Sequence, residues 1–262
     1  MFKFENSKCY RMPVHFGGYD YQPAELYYHD VVNMVFTYKT DGDCLSEYIP
    51  ECFEMLRPEL TINYAQCREI DWMAGGGYNL IDVNVPVRFK GQRDKIEGNF
   101  SLVVWENKTA PILGGREETG VPKIFADIED IHTFMDERFA VASFEGNTFL
   151  NLAMTVERPI DDTLLSQMQN SPVNGLNLRY IPKVGGPGAE LLQPILYPQR
   201  LQAKQGWTGA GAVRWNLLQY GQNPSQAHII KALTELPILE MFPAKLVKGV
   251  IVLMPSMARI LE

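Results

Sequence analysis

The sequence has little cysteine and no long apolar run. Its four cysteines are Cys9, Cys44, Cys52 and Cys67, and none of them forms a CxxC pair. A disulfide-stapled secreted fold and a cysteine-based metal site are therefore both disfavoured, and we expect reduced thiols in a cytoplasmic protein. The longest apolar run covers residues 249–255, far short of the roughly 20 residues of a membrane-spanning helix. We expect no association with a membrane.

Positive charge is also scarce. The 262 residues contain 24 Lys and Arg against 31 Asp and Glu, which gives a formal net charge of −7. Nucleic-acid binding depends mainly on cationic side chains that neutralise phosphates, so this balance argues against it. The four histidines show no metal-ligand spacing, and no phosphate-binding glycine motif or GxSxG elbow is present. We therefore expect neither a metal nor a cofactor.

What the sequence does contain is alternation of apolar and polar residues. In 81–89 the odd-numbered residues are apolar and the even-numbered ones are polar apart from Pro86, which predicts a half-buried strand near a sheet edge. Similar strands are predicted at 31–38, 60–68, 100–105, 138–144, 148–156, 176–181, 191–201 and 247–254. Hairpin turns are predicted at 98–99 and 145–147.

Helices are fewer than strands and do not alternate with them. They are predicted at 43–49, 128–137, 161–169 and 225–236. Grouped strands with few helices indicate the α+β class with an antiparallel sheet rather than a doubly wound fold. No linker or change in composition divides the chain, so one domain over residues 1–262 is expected.

One lysine lies in an apolar setting. Lys123 follows Val121-Pro122 and precedes Ile124-Phe125. A lysine amine has an ordinary pKa of about 10.4, and burial favours the neutral form that can attack a carbonyl and form a Schiff base. Alternatively, the side chain lies along apolar surface with its amine in water. Spacing alone favours this second interpretation.

The segment Gly115-Arg116-Glu117, followed by Pro122-Lys123, resembles the segment around the Schiff-base lysine of the acetoacetate decarboxylase family. Further blocks resemble that family in the same order between about residues 27 and 255: 38–41, 49–51, 86–91, 179–182, 206–209, 236–238 and 250–255. The resemblance implies a β-barrel-like α+β fold, a buried pocket and a homo-oligomer. It also implies that Lys123 forms an imine with a small keto acid, and that this imine stabilises the enamine left when CO₂ departs.

The sequence also departs from the family pattern. Ile124 stands where typical decarboxylases carry a second lysine, so burial alone has to activate Lys123. Val31 stands at the position of the family's substrate-binding arginine, with His29 as the nearest polar candidate. Ala65 and Leu80 stand near its two glutamates. Three acidic residues lie close to those positions, although strand alternation can direct them to the other face: Glu69, Asp71 and Asp82.

The candidate site residues follow from this resemblance. Lys123 is the predicted nucleophile, and Glu118 is the predicted proton-transfer group because it lies close by in sequence. Arg116 and Glu117 are predicted to bind substrate, although Arg116 can equally pair with Glu117 or Glu118 as part of the structure. His29 is a further substrate-binding candidate.

Three functions are compatible with these features. The first is a Schiff-base lyase that decarboxylates a β-keto acid such as acetoacetate. The second is aldol condensation and dehydration, or the reverse, on a pyruvate-like substrate through the same lysine. The third is a barrel that binds an apolar ligand without covalent chemistry. A buried Lys123 with a carboxylate within hydrogen-bond reach would favour the two enzymes.

Overall fold

Strands dominate the part of the chain that the computed structural model describes, residues 2–21 and 25–262. In chain order the strands are β1 (Lys8–Cys9), β2 (Tyr19–Asp20), β3 (Leu26–Lys39), β4 (Phe53–Met55), β5 (Glu59–Ile70), β6 (Tyr78–Phe89), β7 (Glu97–Glu106), β8 (Lys123–Phe125), β9 (Asp127–Ile128), β10 (His132–Phe134), β11 (Glu137–Phe144), β12 (Asn147–Pro159), β13 (Gln169–Pro182), β14 (Ala189–Trp215), β15 (Glu240–Met241), β16 (Ala244–Leu253) and β17 (Arg259–Ile260). The α-helices are α1 (Gly42–Ser46), α2 (Thr109–Thr119), α3 (Asp162–Met168) and α4 (Ala227–Thr234). Short 3₁₀ turns lie at Val14–Phe16, Asp71–Met73 and Pro255–Met257.

Seven of these strands close into a ring. β14 pairs with β13, β13 with β7, and the order continues through β6, β5 and β3 to β16, which pairs back with β14. These pairings are antiparallel except that of β13 with β7. β8 pairs with the second half of β7, also in parallel. The ring-like, mostly antiparallel sheet with few helices confirms the predicted α+β class.

The alternation predicted for 81–89 is confirmed in β6, and it separates two environments. Four apolar residues pack in the main core with no exposed surface: Ile81, Val83, Val85 and Val87. The position at a sheet edge is wrong, because β6 lies between β5 and β7. Pro86 is tolerated there because pairing with β5 ends at Asn84. The polar face of β6 lines an internal cavity.

Most helix predictions agree with the structure, and the exceptions have local causes. α3 and α4 lie within the predicted segments, and α1 overlaps the segment predicted at 43–49 but begins one residue earlier, at Gly42. The helix predicted at 128–137 is wrong: its apolar residues recur at helical spacing, but the segment forms the end of β9, all of β10 and the start of β11, with short connections between them. Met135, with φ of 50°, makes the tight turn between β10 and β11.

The two turn predictions have different outcomes. The hairpin turn at 145–147 is confirmed between β11 and β12, with Glu145 and Gly146 at positive φ. The turn at 98–99 is wrong, because both residues belong to β7, where Gly98 lies against the backbone oxygen of Asn174. Within the described ranges, no helix has the length and apolar character needed to cross a membrane.

Candidate active site

Lys123 is positioned by a short crossover from β7 through α2 to β8. Helix α2 ends at Gly120, whose φ of 65° is left-handed and whose N–H donates to the carbonyl of Gly115. Pro122 then leads into β8, where Lys123 lies beside Val104 of β7 in parallel register. Neighbours in register point to the same side of a sheet, so the side chains of Lys123 and Val104 share one face.

Helix α2 lies directly against the lysine side chain. A methyl group added at Gly115 would lie 2.6 Å from both Cδ and Cε of Lys123. The Lys123 amine donates a hydrogen bond of 3.1 Å to the carbonyl of Pro111, at the start of the same helix. The lysine side chain keeps only 15% of its surface exposed. Close packing against glycine therefore keeps this amine inside the protein.

Glu106, the last residue of β7, is the carboxylate next to this amine. Its Oε1 lies 2.7 Å from Nζ of Lys123, and its side chain has no exposed surface. Among the described residues, neither carboxylate oxygen accepts a hydrogen bond of good geometry. Burial raises the pKa of Glu106, while the charge of Lys123 acts in the opposite direction. The pair is neutral overall whether the proton lies on the amine or on the carboxylate, so a proton can move between them without creating net charge.

A second carboxyl group, that of Asp82, lies on the same face of the sheet. Asn63, Asp82, Val104 and Lys123 are successive register partners across β5, β6, β7 and β8. The Asp82 carboxylate accepts hydrogen bonds from the amides of Asn63, at 3.4 Å, and of Asn84. Burial raises the pKa of Asp82 to about 7, against the effect of these two amides. Both protonation states of Asp82 are therefore populated near neutral pH.

These groups line a cavity of about 100 Å³. Its polar wall includes Asn63, Asp82, Ser101, Glu106, Lys123 and Asn177. The rest of the lining is mainly aromatic and aliphatic, with Tyr28, Tyr78, Leu80, Ile251 and Leu253. Among the lining residues that the structure describes, Lys123 is the one lysine or arginine. The cavity can hold a small carbonyl compound between an amine and two carboxyl groups.

The structure directs Glu118 and Arg116 away from the Lys123 amine. The Glu118 carboxylate accepts hydrogen bonds from Arg11 and from the hydroxyl of Tyr19, the latter at 2.6 Å. Burial acts to raise the pKa of Glu118, but these partners outweigh it and lower the pKa. Arg116 donates a hydrogen bond of 2.9 Å to the backbone carbonyl of Lys123, which links α2 to β8. This geometry gives no support to proton transfer by Glu118 or to substrate binding by Arg116.

Glu117 and His29 also lie outside the cavity lining. The backbone carbonyl of Glu117 accepts a hydrogen bond from Arg179. His29 lies 2.8 Å from Asp71 through Nε2 and has 47% of its side chain exposed. Its neighbour Tyr28 lines the cavity instead, because successive residues of a strand face opposite sides. The substrate-binding roles predicted for Glu117 and His29 are therefore not supported by their positions.

Sequence reasoning missed Glu106 and left the orientation of Asp82 open. Glu106 ends the apolar stretch Val103-Val104-Trp105, and a lone carboxylate after such a stretch was an available signal. The orientation of Asp82 required the register between β6 and β7, which places it opposite Val104. Ile124, which stands where typical decarboxylases carry a second lysine, packs against the main core. The charged group next to the Lys123 amine is the carboxylate of Glu106.

Comparison with known proteins agrees with this architecture. The family profile described as acetoacetate decarboxylase (ADC) matches residues 11–253. An acetoacetate decarboxylase from Burkholderia mallei is 26% identical over 239 residues, which cover 91% of this chain and 89% of that protein.

Solved structures show the same fold. An acetoacetate decarboxylase from Legionella pneumophila superposes with a TM-score of 0.75 at 20% identity, covering 94% of this chain and 92% of that one. MppR, an enduracididine biosynthesis enzyme complexed with pyruvate, superposes with a TM-score of 0.72 at 15% identity, covering 97% of each chain. With the match of the family profile over nearly the whole chain, these findings show that the chain belongs to the acetoacetate decarboxylase family.

Proposed function

We propose that this protein is a carbon–carbon lyase that forms a Schiff base between Lys123 and a small keto acid. The observation that carries the proposal is the Lys123 amine, nearly buried in a cavity and 2.7 Å from the buried Glu106. A desolvated lysine that can lose its proton is the nucleophile this chemistry requires. A cavity of about 100 Å³ suits a substrate of few carbon atoms.

Imine formation uses the proton of the ion pair. The ammonium of Lys123 passes a proton to Glu106, and the neutral amine attacks the substrate carbonyl carbon to give a carbinolamine. Glu106 then returns the proton to the carbinolamine hydroxyl, which leaves as water. The product is a protonated imine beside an ionised Glu106. The carboxylate therefore stabilises the cation that forms next to it.

Decarboxylation of a β-keto acid is the first reaction of this imine. The bond between the α-carbon and the carboxylate breaks, CO₂ leaves, and the electron pair moves through the new C=C bond to the imine nitrogen. Protonation of the resulting enamine at carbon and hydrolysis of the imine release the ketone and regenerate Lys123.

Aldol condensation with dehydration is the second candidate, and the composition of the cavity favours it. Lys123 is the one cation among the described lining residues, while two carboxyl groups, those of Glu106 and Asp82, are available for proton transfer. Repeated proton transfers are what aldol and dehydration steps require. The likeness in fold to a protein solved with pyruvate is compatible with this chemistry.

Borohydride trapping tests the proposal. We expect reduction in the presence of acetoacetate or pyruvate to add the mass of the reduced substrate to the peptide that contains Lys123. Lys123→Ala should abolish the adduct, while Lys108→Ala, at an exposed position just before α2, should leave it unchanged. Adducts with both keto acids without release of CO₂ would contradict decarboxylation and leave the aldol reaction. If no adduct forms and Lys123→Ala binds ligand unchanged, the protein is a non-covalent binding protein.

We also propose that the protein is a homo-oligomer, as the family resemblance implies. Multi-angle light scattering should give a mass that is a multiple of 29.8 kDa. A monomer mass at micromolar concentration would contradict this proposal.

A further inference from the structure

The register of the sheet places the two carboxyl groups of the cavity, those of Glu106 and Asp82, at different distances from the Lys123 nitrogen. Glu106 contacts the Lys123 nitrogen, so its carboxyl group is placed to exchange protons at that nitrogen. Asp82 lies two strands away from Lys123, with Val104 between them in the same register row. Two strand spacings separate the backbones of Asp82 and Lys123 by about 10 Å. Val104 therefore lies between the Lys123 and Asp82 backbones, and all three residues line the cavity.

The Asp82 carboxyl group is held in a fixed orientation. Amide groups donate to its two oxygens from different strands, Asn63 to Oδ2 and Asn84 to Oδ1. Asn84 is itself fixed, because its side-chain oxygen accepts a hydrogen bond of 3.0 Å from Ser101. A carboxyl group so held, on the wall of a cavity, is placed to exchange protons with whatever occupies that cavity.

We propose that Asp82 is the catalytic residue that transfers protons at the substrate carbon adjacent to the imine, while Glu106 serves the nitrogen. This inference rests on the proposed Schiff base at Lys123. It assigns the two carboxyl groups to different atoms of one intermediate.

The proposed step balances in both directions. Asp82 as carboxylate removes a proton from the carbon next to the protonated imine, the C–H electron pair becomes the C=C bond, and the C=N pair moves to nitrogen. The products are a neutral enamine and a protonated Asp82. In the reverse direction, protonated Asp82 donates to the enamine carbon, which is also the step that follows loss of CO₂.

Other titratable side chains face the same cavity: Tyr28, Cys67, Tyr78, Glu106, Lys123 and Tyr197. Burial raises the pKa of Cys67 to about 12 and the pKa values of the three tyrosines above their usual range. These four groups therefore stay neutral near pH 7. Glu106 and Lys123 affect imine formation itself, so the test has to report carbon protonation relative to the amount of imine.

Exchange of the pyruvate methyl protons with D₂O, followed by NMR and divided by the amount of borohydride-trapped adduct, isolates the step at carbon. Asp82→Asn is nearly isosteric and should lower this ratio about 100-fold or more while the adduct forms within about threefold of wild type. Asp71→Asn, a matched change of an aspartate outside the cavity, should alter neither quantity. An exchange ratio of Asp82→Asn within threefold of wild type would overturn the inference.

The wild-type pH profile tests the inference without any variant. The ratio should rise with pH and level off above about 7, because the carboxylate form removes the proton and the pKa of Asp82 is about 7. A flat ratio between pH 5 and 9 would overturn the role of Asp82 while leaving the imine intact. Absence of any wild-type adduct would overturn the Schiff base and, with it, this inference.

Discussion

A buried amine and a buried carboxylate in contact form the chemical centre of this protein. Leaving either one charged and unpaired in the protein interior is costly, which ties the protonation of Lys123 to that of Glu106. In the proposed reaction, the proton shared by the two groups is used to make and to break the imine. Changes that remove the proton acceptor without changing its shape test this dependence.

For Glu106→Gln we expect the rate of imine trapping to fall by about 100-fold. The amide fills the same space but can neither accept the proton of the Lys123 amine nor return it to the carbinolamine oxygen. The rate is measured by mass spectrometry after timed reduction with cyanoborohydride. Glu118→Gln serves as the control, because that carboxylate is held by Arg11 and Tyr19 outside the cavity. Equal rates for the two variants would contradict a role for Glu106.

The raised pKa of Asp82 also predicts how stability depends on pH. An unfolded aspartate titrates near 3.8, whereas Asp82 titrates near 7 in the fold, so between these values only the folded state keeps the proton. The wild type therefore loses stability as the pH rises through this range. Asp82→Asn lacks this loss and should gain about 3 kcal/mol relative to wild type between pH 5 and pH 8. Urea unfolding at both pH values measures the gain, and a difference that does not change with pH would contradict the prediction.

Single residues also show how far the sequence alone could lead. The apolar neighbours of Lys123 are contiguous in sequence, but spacing alone favoured an amine in water, and only the family resemblance implied a buried pocket. In the structure the Lys123 side chain keeps 15% of its surface exposed. Glu118 seemed a suitable partner because it is only five positions away, yet its carboxylate accepts hydrogen bonds from Arg11 and Tyr19 instead. Glu106 is seventeen positions away and reaches Lys123 only because β7 and β8 pair in parallel. Such pairing depends on tertiary structure that no local pattern encodes.

At the scale of secondary structure, α2 is the one α-helix of the described residues that the sequence did not predict. Gly114 and Gly115 lower its helix propensity, so no helix is predicted at Thr109–Thr119. Glycine is needed at position 115 despite its low helix propensity, because the side chain of Lys123 lies directly against it and leaves no room for a Cβ atom. The longer strands, by contrast, could be predicted from alternation, whereas the strands of two or three residues could not. The same alternation could not show that the polar face of β6 lines a cavity.

Gly115→Ala should displace the Lys123 amine and leave the protein folded. The added methyl group would lie 2.6 Å from Cδ and Cε of Lys123, so this flexible side chain has to move. Alanine is favoured over glycine in a helix by roughly 0.5–1 kcal/mol, but moving the amine away from the buried Glu106 costs more than this gain, so the free energy of unfolding should fall. We expect imine trapping to fall about 100-fold.

Gly114→Ala is the matched control for this change. One residue earlier in the same helix, an added methyl group would lie 3.5 Å from the guanidinium of Arg11, an ordinary contact. Trapping by this variant should equal that of wild type. Loss of trapping in both variants would show a general effect on α2, and loss in neither would contradict the positioning role of Gly115.

At the scale of the whole molecule, the net charge of −7 opposes the approach of an anionic keto acid. Raising the ionic strength from about 10 mM to about 150 mM shortens the Debye length from about 30 Å to about 8 Å and screens this repulsion. We expect the KM for acetoacetate in the trapping reaction to fall a few-fold over this range. Acetone, which carries no charge, should show no such dependence. A KM for acetoacetate that rises with salt would indicate local positive charge at the entrance.

The closure of the ring has a consequence for the time course of biosynthesis. β16 completes the ring by pairing with β3, and Val35 meets Lys245, 210 residues further along the chain. At about 5–20 residues per second, the ribosome needs roughly 6–25 seconds to proceed from Lys123 to β16. Until then the ring is open, and Ile251 and Leu253 of β16, which line the cavity around Lys123, have not been synthesised. The cavity is therefore complete only after the last strand of the ring has been made, so ligand binding cannot assist the folding of the preceding strands during synthesis.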